Sequence, residues 1–360
     1  MTFGSYPIPG QVYLLGYILA VTLSFCMTLL LVKAVSRSNA LTRLLNRLPI
    51  SAGKNVSPFG GIAVILSFLI TLWGFYFFGV VDKNNGTLLL VITLGIGMVF
   101  ILGIYDDIYH CSPKFKLGVQ VLIAIVLYFS GFQIERIGGL LELNQFSIIL
   151  TIVWIVGITN SLNLIDGVDG LASGIVFFSC LTLVFVYLER NIIEASFLAV
   201  ILAGSVLGFF LFNFPPAKII LGDTGSLPMG LMVSLITLLP LNQGHTDEIY
   251  YLIPVITLLI PIMDTTFAFF RRIFKGVSPF SKDAEHIHHR MGKLGLSPAK
   301  SICLLFGIGF YFDLSAMAPV YHINLIPKFI PIYFVFIVLN VAFLSFLLRH
   351  YEKKRRHESS

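Results

Sequence analysis

The sequence predicts an all-α protein that crosses a membrane about eleven times, and three observations carry that expectation. Its residues are 57% hydrophobic and only 12% charged, with a mean hydropathy of +0.91. A soluble domain carries about 25% charged residues. Apolar runs of about 20 residues, enough to cross the ~30 Å hydrocarbon core, recur along the whole chain. The basic residues between these runs fall almost entirely on alternate sides.

Taken in order, the expected spans are roughly 11–32, 60–81, 88–105, 117–132, 147–163, 171–188, 194–213, 227–241, 250–270, 299–320 and 328–348. The runs 117–132 and 227–241 are short, so ten spans is the alternative count. Of the 24 Lys and Arg residues, twenty fall on one side of this arrangement and four (Lys83, Arg136, Arg190, Lys328) on the other. The positive-inside rule makes the richer side cytoplasmic, with the N-terminus outside and the C-terminus inside. The first run lacks a basic flank before it and a small-residue cleavage site after it, so it reads as a retained span. Residues 1–350 then form one integral domain, and 351–360 a basic cytoplasmic tail beside anionic lipid heads. The surplus positive charge serves topology, and no nucleic-acid partner is expected. Four scattered cysteines (Cys26, Cys111, Cys180, Cys303) have no metal-ligand spacing and read as small packing residues.

The polar clusters all fall on the cytoplasmic side, which favours a catalytic face. At the end of the third run stand Asp106 and Asp107. Adjacent carboxylates repel, and such a pair suits a divalent cation, a general base, or both. Lys114 and Lys116 supply counter-charge, with Gln120 one turn further. The plainer alternative is a solvated helix end. Next comes Asn160-Ser-Leu-Asn163-Leu-Ile-Asp166-Gly167-Val-Asp169-Gly170-Leu-Ala-Ser-Gly174. On a helical turn, Asp166 and Asp169 would share a face, and the glycines would admit a ligand or a second helix close to the backbone. A glycine-rich turn with Asx caps accounts for only part of this set.

The stretch Asn213 to Ser226 has a Pro-Pro break, the lone Lys218, and a Gly222-Asp223-Thr224-Gly225-Ser226 turn entering a span. Hydroxyls and N–H groups at a helix start can hold phosphate, and Asp223 is an acid that a divalent ion could use; a simple N-cap is the alternative. Asp264 lies within the ninth run and is a functional candidate by its depth, whereas Asp313 in the tenth reads as structural. The loop from Arg271 to Lys300 carries His286-Ile-His288-His289-Arg290, a set better suited to phosphate than to zinc. Together these features suggest a divalent-metal site for a phosphorylated soluble donor, with a lipid as second substrate.

These motifs give the chain a resemblance. Gly103 to Gln120 matches G-x-x-D-D-x(5)-P-x-x-K-L-x-x-Q, and Asn163 to Leu171 matches N-x-x-D-G-x-D-G-L. Gly222 to Ser226 matches G-D-x-G-S, and Pro261 to Thr265 with His286 to His289 matches P-x-x-D-T and H-I-H-H. In this order and spacing, over about residues 57 to 300, they resemble the polyprenyl-phosphate N-acetylhexosamine-1-phosphate transferases, and most of all the bacterial undecaprenyl-phosphate N-acetylglucosaminyl-1-phosphate transferases.

The resemblance implies transfer of a sugar-1-phosphate from a UDP-N-acetylhexosamine to undecaprenyl phosphate at the bacterial plasma membrane. UMP would be released and a cell-envelope glycan begun. It implies Mg²⁺, with Mn²⁺ as an admissible substitute, held by Asn163 and Asp223. Asp106 and Asp107 would orient or deprotonate the lipid phosphate, Asp106 as the base. Asp166 and Asp169, with Gly167 and Gly170, would shape the nucleotide pocket, Asp169 toward the uracil edge. Arg272, His286, His288, His289 and Arg290 would grip the donor's pyrophosphate or sugar. Lys54, Lys114, Lys116, Asn160 and Asp264 complete the expected substrate contacts, and the family also admits a homodimer.

The sequence departs from the family pattern twice. The usual R-K-x-H run before the first glycine pair is reduced to Lys54, and Ile220 stands where Phe is frequent. The same chemistry with a muramoyl-pentapeptide donor is the nearest rival; Ile287 within the histidines and the eleventh span favour the simpler donor. A CDP-alcohol phosphotransferase would need Ala-Arg after the first Asp-Gly, and here Gly170 is followed by Leu171-Ala172-Ser173. A transporter with an intramembrane acid relay is the non-enzymatic rival, and only Asp313 points to it.

Overall fold

A computed structural model describes residues 10–37, 56–137, 141–242, 249–276, 278, 291 and 296–321. The eleventh expected span, the basic tail, Lys54, His286, His288, His289 and Arg290 lie outside the described residues. The described helices are α1 (Gly10–Arg37), α2 (Gly60–Phe77), α3 (Gly86–Tyr109), α4 (Pro113–Phe129), α5 (Ser147–Ile165) and α6 (Leu171–Glu189). They continue with α7 (Ile193–Asn213), α8 (Asp223–Asn242), α9 (Ile249–Thr257), α10 (Leu259–Phe274) and α11 (Pro298–Tyr321).

Eight of these are long and apolar enough to cross a membrane, or nine if α9 and α10 count as one span. The chain is thus a multi-pass membrane protein. The first ten expected runs each coincide with helix. Three details differ from expectation. The run 117–132 forms α4, which at 17 residues is not among the helices long enough to span. The run 250–270 is not one rod: α9 and α10 meet at a 73° bend. The fold is also not purely helical, because β1 (Arg136–Ile137) and β2 (Leu141–Glu142) pair antiparallel between α4 and α5. Both strands are too short for a hydropathy pattern to register.

Local chemistry sets several of the helix starts. Ser112 caps α4 by accepting from the Phe115 amide at 3.3 Å, and Pro113 occupies the first turn, where no amide donor is needed. Gly170, at φ +82°, turns the chain into α6. Helix α7 lies against α1 through Gly204 and Gly208. A Cβ at Gly204 would come to 2.7 Å of the Tyr17 carbonyl oxygen, and one at Gly208 to 2.7 Å of the Phe25 amide nitrogen. Such small-residue faces let helix backbones approach where apolar burial alone gives no preference.

Helix α8 is the axis of the bundle. It packs against α2, α3, α5 and α7, and 94% of its spanning window is buried. The indole Nε1 of Trp154 on α5 donates to Thr237 Oγ1 on α8 at 3.0 Å. The N-terminus of this innermost helix therefore emerges at the middle of one end of the bundle. The short connections α3–α4 and α5–α6 open at that same end, and the polar cluster is assembled there.

Candidate active site

The site begins with an acid that organises backbone. Asp107 is fully buried near the end of α3. Its Oδ1 accepts from the Asp223 amide at 2.9 Å, and its Oδ2 accepts from the Thr224 amide at 2.9 Å and the Thr224 hydroxyl at 2.5 Å. Two amides that the start of α8 leaves unsatisfied, and the Thr224 hydroxyl, are thus met by one carboxylate from another helix. The approach requires glycine twice. Gly222 has φ +72°, and a Cβ there would sit 2.8 Å from Asp107 Oδ2; a Cβ at Gly103 would sit 2.8 Å from Thr224 Cα.

The outer side of the turn is fastened by the segment that leads into the first glycine pair. Ser57 pairs in parallel with Ile219. Ile220 N–H donates to the Ser57 carbonyl at 2.9 Å, and the Gly60 and Gly61 amides donate to Ile220 and Leu221 at 2.9 and 3.0 Å. Gly61 faces the Gly225 backbone with no room for a side chain.

On this frame stands the reactive-looking pair. Lys116 on α4 donates from Nζ to Asp106 Oδ2 at 2.9 Å and to Asp223 Oδ2 at 2.5 Å. The two carboxyls also come within hydrogen-bond reach of each other. Asp106 Oδ1 accepts from the Cys111 amide at 2.7 Å, which ties the α3–α4 turn to the site. Asn163 on α5 donates to Asp223 Oδ1 at 2.7 Å and to Ser226 Oγ at 2.9 Å. Deeper in the bundle, Asn160 Nδ2 donates to Gln120 Oε1 at 2.5 Å and to the Val156 carbonyl at 2.8 Å.

Beyond α5, Asp166 lies close to the Gly222 amide. Burial, and then the charges of Asp223, Asp107 and Asp169, push its carboxyl well above the usual range. Asp169 accepts from the Ala217 amide at 3.3 Å. Asn213 Oδ1 takes the Gly170 amide and the Ser173 hydroxyl, both at 2.9 Å, while its Nδ2 donates to the Ile219 carbonyl at 3.0 Å. Asn213 therefore locks the Asp166–Gly170 loop to the Gly222 turn. No spacing rule marks it out, since its role depends on two loops that meet only in space.

The structure thus brings Asp106, Asp107, Lys116, Asn163, Asp166, Asp169 and Asp223 to one end of the bundle, with Asn160 just beneath. It gives Gly170 a backbone-turning place, and Gly167 and Lys114 are exposed. Asp264, buried on α10, and Arg272, on the same helix, stand on an element packed against α5 and α11.

The donor set fits a divalent cation. Asp106 and Asp223 present carboxylate oxygens around the Lys116 ammonium, Asn163 adds a carboxamide beside Asp223, and oxygen ligands are what Mg²⁺ takes. Among the described residues no three His, Cys, Asp or Glu side chains form a ready cage. Mg²⁺ usually binds one or two carboxylates and completes its shell with water and substrate phosphate. The crowding that raises Asp166 is also what an added cation would relieve. To take part as a ligand, Asn163 must turn its amide so that the oxygen, and not the amino group, faces Asp223.

A multi-pass helical bundle with an acid-rich site at one end of its innermost helix defines an integral membrane enzyme class. Residues 89–240 match the model of glycosyl transferase family 4. A Bacillus subtilis (strain 168) protein named "Probable undecaprenyl-phosphate N-acetylglucosaminyl 1-phosphate transferase" is 37% identical over 291 residues, 79% of each chain. A Thermotoga maritima undecaprenyl-phosphate alpha-N-acetylglucosaminyl 1-phosphate transferase is 29% identical over 275 residues, 76% of this chain and 80% of its own. A phospho-N-acetylmuramoyl-pentapeptide-transferase of the same organism is 31% identical over 249 residues, 66% of this chain and 77% of its own. The chain belongs to glycosyl transferase family 4.

Proposed function

We propose that the protein transfers N-acetylglucosamine-1-phosphate from its UDP-sugar to undecaprenyl phosphate, on the cytoplasmic side of a bacterial plasma membrane. The observation that carries this reading is the Asp106–Lys116–Asp223–Asn163 constellation at the N-terminus of α8. The names of the B. subtilis and T. maritima relatives supply the lipid phosphate and the transferred N-acetylglucosaminyl 1-phosphate group, and the family resemblance supplies the UDP carrier.

In the proposed reaction an oxygen of the lipid phosphate attacks the phosphorus that bears the sugar. The bond from that phosphorus to the uridylate oxygen breaks, and UMP leaves with the electron pair. Asp106 takes the proton from any lipid phosphate that arrives as the monoanion. Lys116, released from its carboxylate partners when the substrates enter, neutralises the attacking phosphate. Asp223 and Asn163 would hold Mg²⁺, which when bound neutralises the donor's pyrophosphate and the leaving UMP. Asp166 and Asp169, on the loop locked by Asn213, would line the nucleotide side. Asp107, whose oxygens are spent on the start of α8, acts as a positioning residue and not as a second base. Lys54, Lys114, Asp264, Arg272, His286, His288, His289 and Arg290 are proposed as further substrate contacts.

The test is UMP release by purified protein supplied with undecaprenyl phosphate, Mg²⁺ and a panel of UDP-sugars. UDP-N-acetylglucosamine should give UMP, and Asp223→Asn should not. No UMP from any donor, together with identical behaviour of the variant, would sink the proposal. The muramoyl-pentapeptide donor is the second reading, supported by the other T. maritima relative, and its UDP-linked form belongs in the same panel.

A further inference from the structure

A polar cavity lies at the end of the bundle opposite the acid cluster. Helix α4 begins beside Lys116 and ends at Phe129, and α5 starts at Ser147 and runs back toward Asn163, so the hairpin between them is far from the acid cluster. The cavity there has a volume of about 230 Å³ and is lined by Tyr128, Glu135, Arg136, Glu142, Asn144 and Ser147. A single water needs only about 10–15 Å³ on this measure.

Three features say what the cavity would hold. The Ser147 hydroxyl is buried, its residue only 3% exposed, and has no hydrogen-bond partner among the described residues. Buried hydroxyls are as a rule hydrogen-bonded, and a bound polar group could complete this one. The charges are unbalanced: Arg136 Nη2 is paired with Glu142 Oε1 at 2.9 Å, while Glu135 has no cation within ion-pair distance among the described residues. The rim is apolar, with Phe129, Ile137, Leu141 and Phe146 exposed around the helix ends. A carboxylate, an orphan hydroxyl and the Tyr128 ring together match a primary ammonium, which offers three donors and a full charge to an aromatic face. The Arg136 fork, about half exposed, has donors left for a phosphodiester beside that ammonium.

We propose that this cavity binds the headgroup of an ammonium-bearing phospholipid in the leaflet opposite the acid cluster. The ammonium sits against Glu135 and Ser147, the phosphodiester on Arg136, and the acyl chains along Ile137, Leu141 and Phe146. The site is independent of the transferase reading, because it shares no residue with it.

The test uses the full-length protein in nanodiscs of phosphatidylethanolamine with phosphatidylglycerol, and of phosphatidylglycerol alone. Native mass spectrometry of the extracted protein reads retained lipid, and a melting curve reads stabilisation. Wild type should retain phosphatidylethanolamine and melt higher in its presence. Glu135→Gln and Ser147→Ala should both lose that lipid and that shift. Ser147→Ala removes no existing hydrogen bond, so its melting temperature in phosphatidylglycerol alone should stay at the wild-type value. Equal retention by wild type and both variants overturns the proposal. So does stabilisation by soluble phosphoethanolamine that equals the effect of the lipid, since the acyl contacts would then contribute nothing.

Discussion

At the scale of single residues, the adjacent carboxylates Asp106 and Asp107 look equivalent in the sequence and are not equivalent in space. Asp107 is buried and fully engaged with the start of α8, whereas Asp106 faces Lys116 and Asp223. Asp107→Asn offers one acceptor oxygen where two are used. It should lower stability by about 1–3 kcal/mol, the cost of stranding a buried donor, and lower activity with it. Asp106→Asn should cost at least about 100-fold in turnover, the lower range for a lost general base, with a much smaller change in melting temperature. Parallel melting and UMP-release measurements check the split; equal destabilisation by both would refute it. Asp166 gives a prediction of opposite sign. Burial and its acidic neighbours raise its carboxyl well above the usual range, so the folded state holds that proton more tightly than the unfolded chain. Stability is therefore lost as pH rises from about 4, the unfolded value, through the folded value. Asp166→Asn should melt higher than wild type at pH 7 and lose that advantage toward pH 4, and added Mg²⁺ should narrow the gap. A melting series from pH 4 to 8 with and without Mg²⁺ reads this directly.

At the scale of elements, helix α8 and the turn before it decide the site. Gly222 combines a left-handed φ of +72° with a Cβ position 2.8 Å from Asp107 Oδ2. Gly222→Ala should therefore disturb backbone and carboxylate together, abolishing UMP release and lowering the melting temperature. Gly74→Ala, in open space on α2, should change neither. Hydropathy made the helices legible, because apolar length is a one-dimensional property, and the first ten expected runs each contain helix. The 73° bend between α9 and α10 was hidden because two short apolar helices read as one long run. The residues of the site were legible where carboxylates cluster at span ends. The roles of Asn213, Ser57 and Gly61 were not, because each acts through a partner more than forty residues away: Gly170 for Asn213, and the 219–225 segment for Ser57 and Gly61.

At the scale of the whole molecule, the proposed reaction stands on which side of the membrane the acid cluster faces. A UDP-sugar is a cytoplasmic metabolite in this reading, so the α3–α4 turn must open to the cytoplasm. Cys111 reports on that turn. Its amide is bonded to Asp106, and its thiol is partly exposed. Burial, and then the nearby Asp106 carboxylate, raise its thiol above the ordinary cysteine range. Thiolate is the reactive form, so alkylation should be slow at pH 7 and accelerate toward pH 9. With Cys26 and Cys303 replaced by serine, and Cys180 left buried in the bundle, a membrane-impermeant maleimide should label inside-out vesicles and leave right-side-out cells unlabelled. Occupancy by UDP-sugar and Mg²⁺ should slow the labelling further, since bound substrates would cover the same turn. Labelling from the outer face would reverse the orientation inferred from twenty basic residues on one side, and would remove a cytoplasmic donor from the mechanism whatever the geometry of its carboxylates.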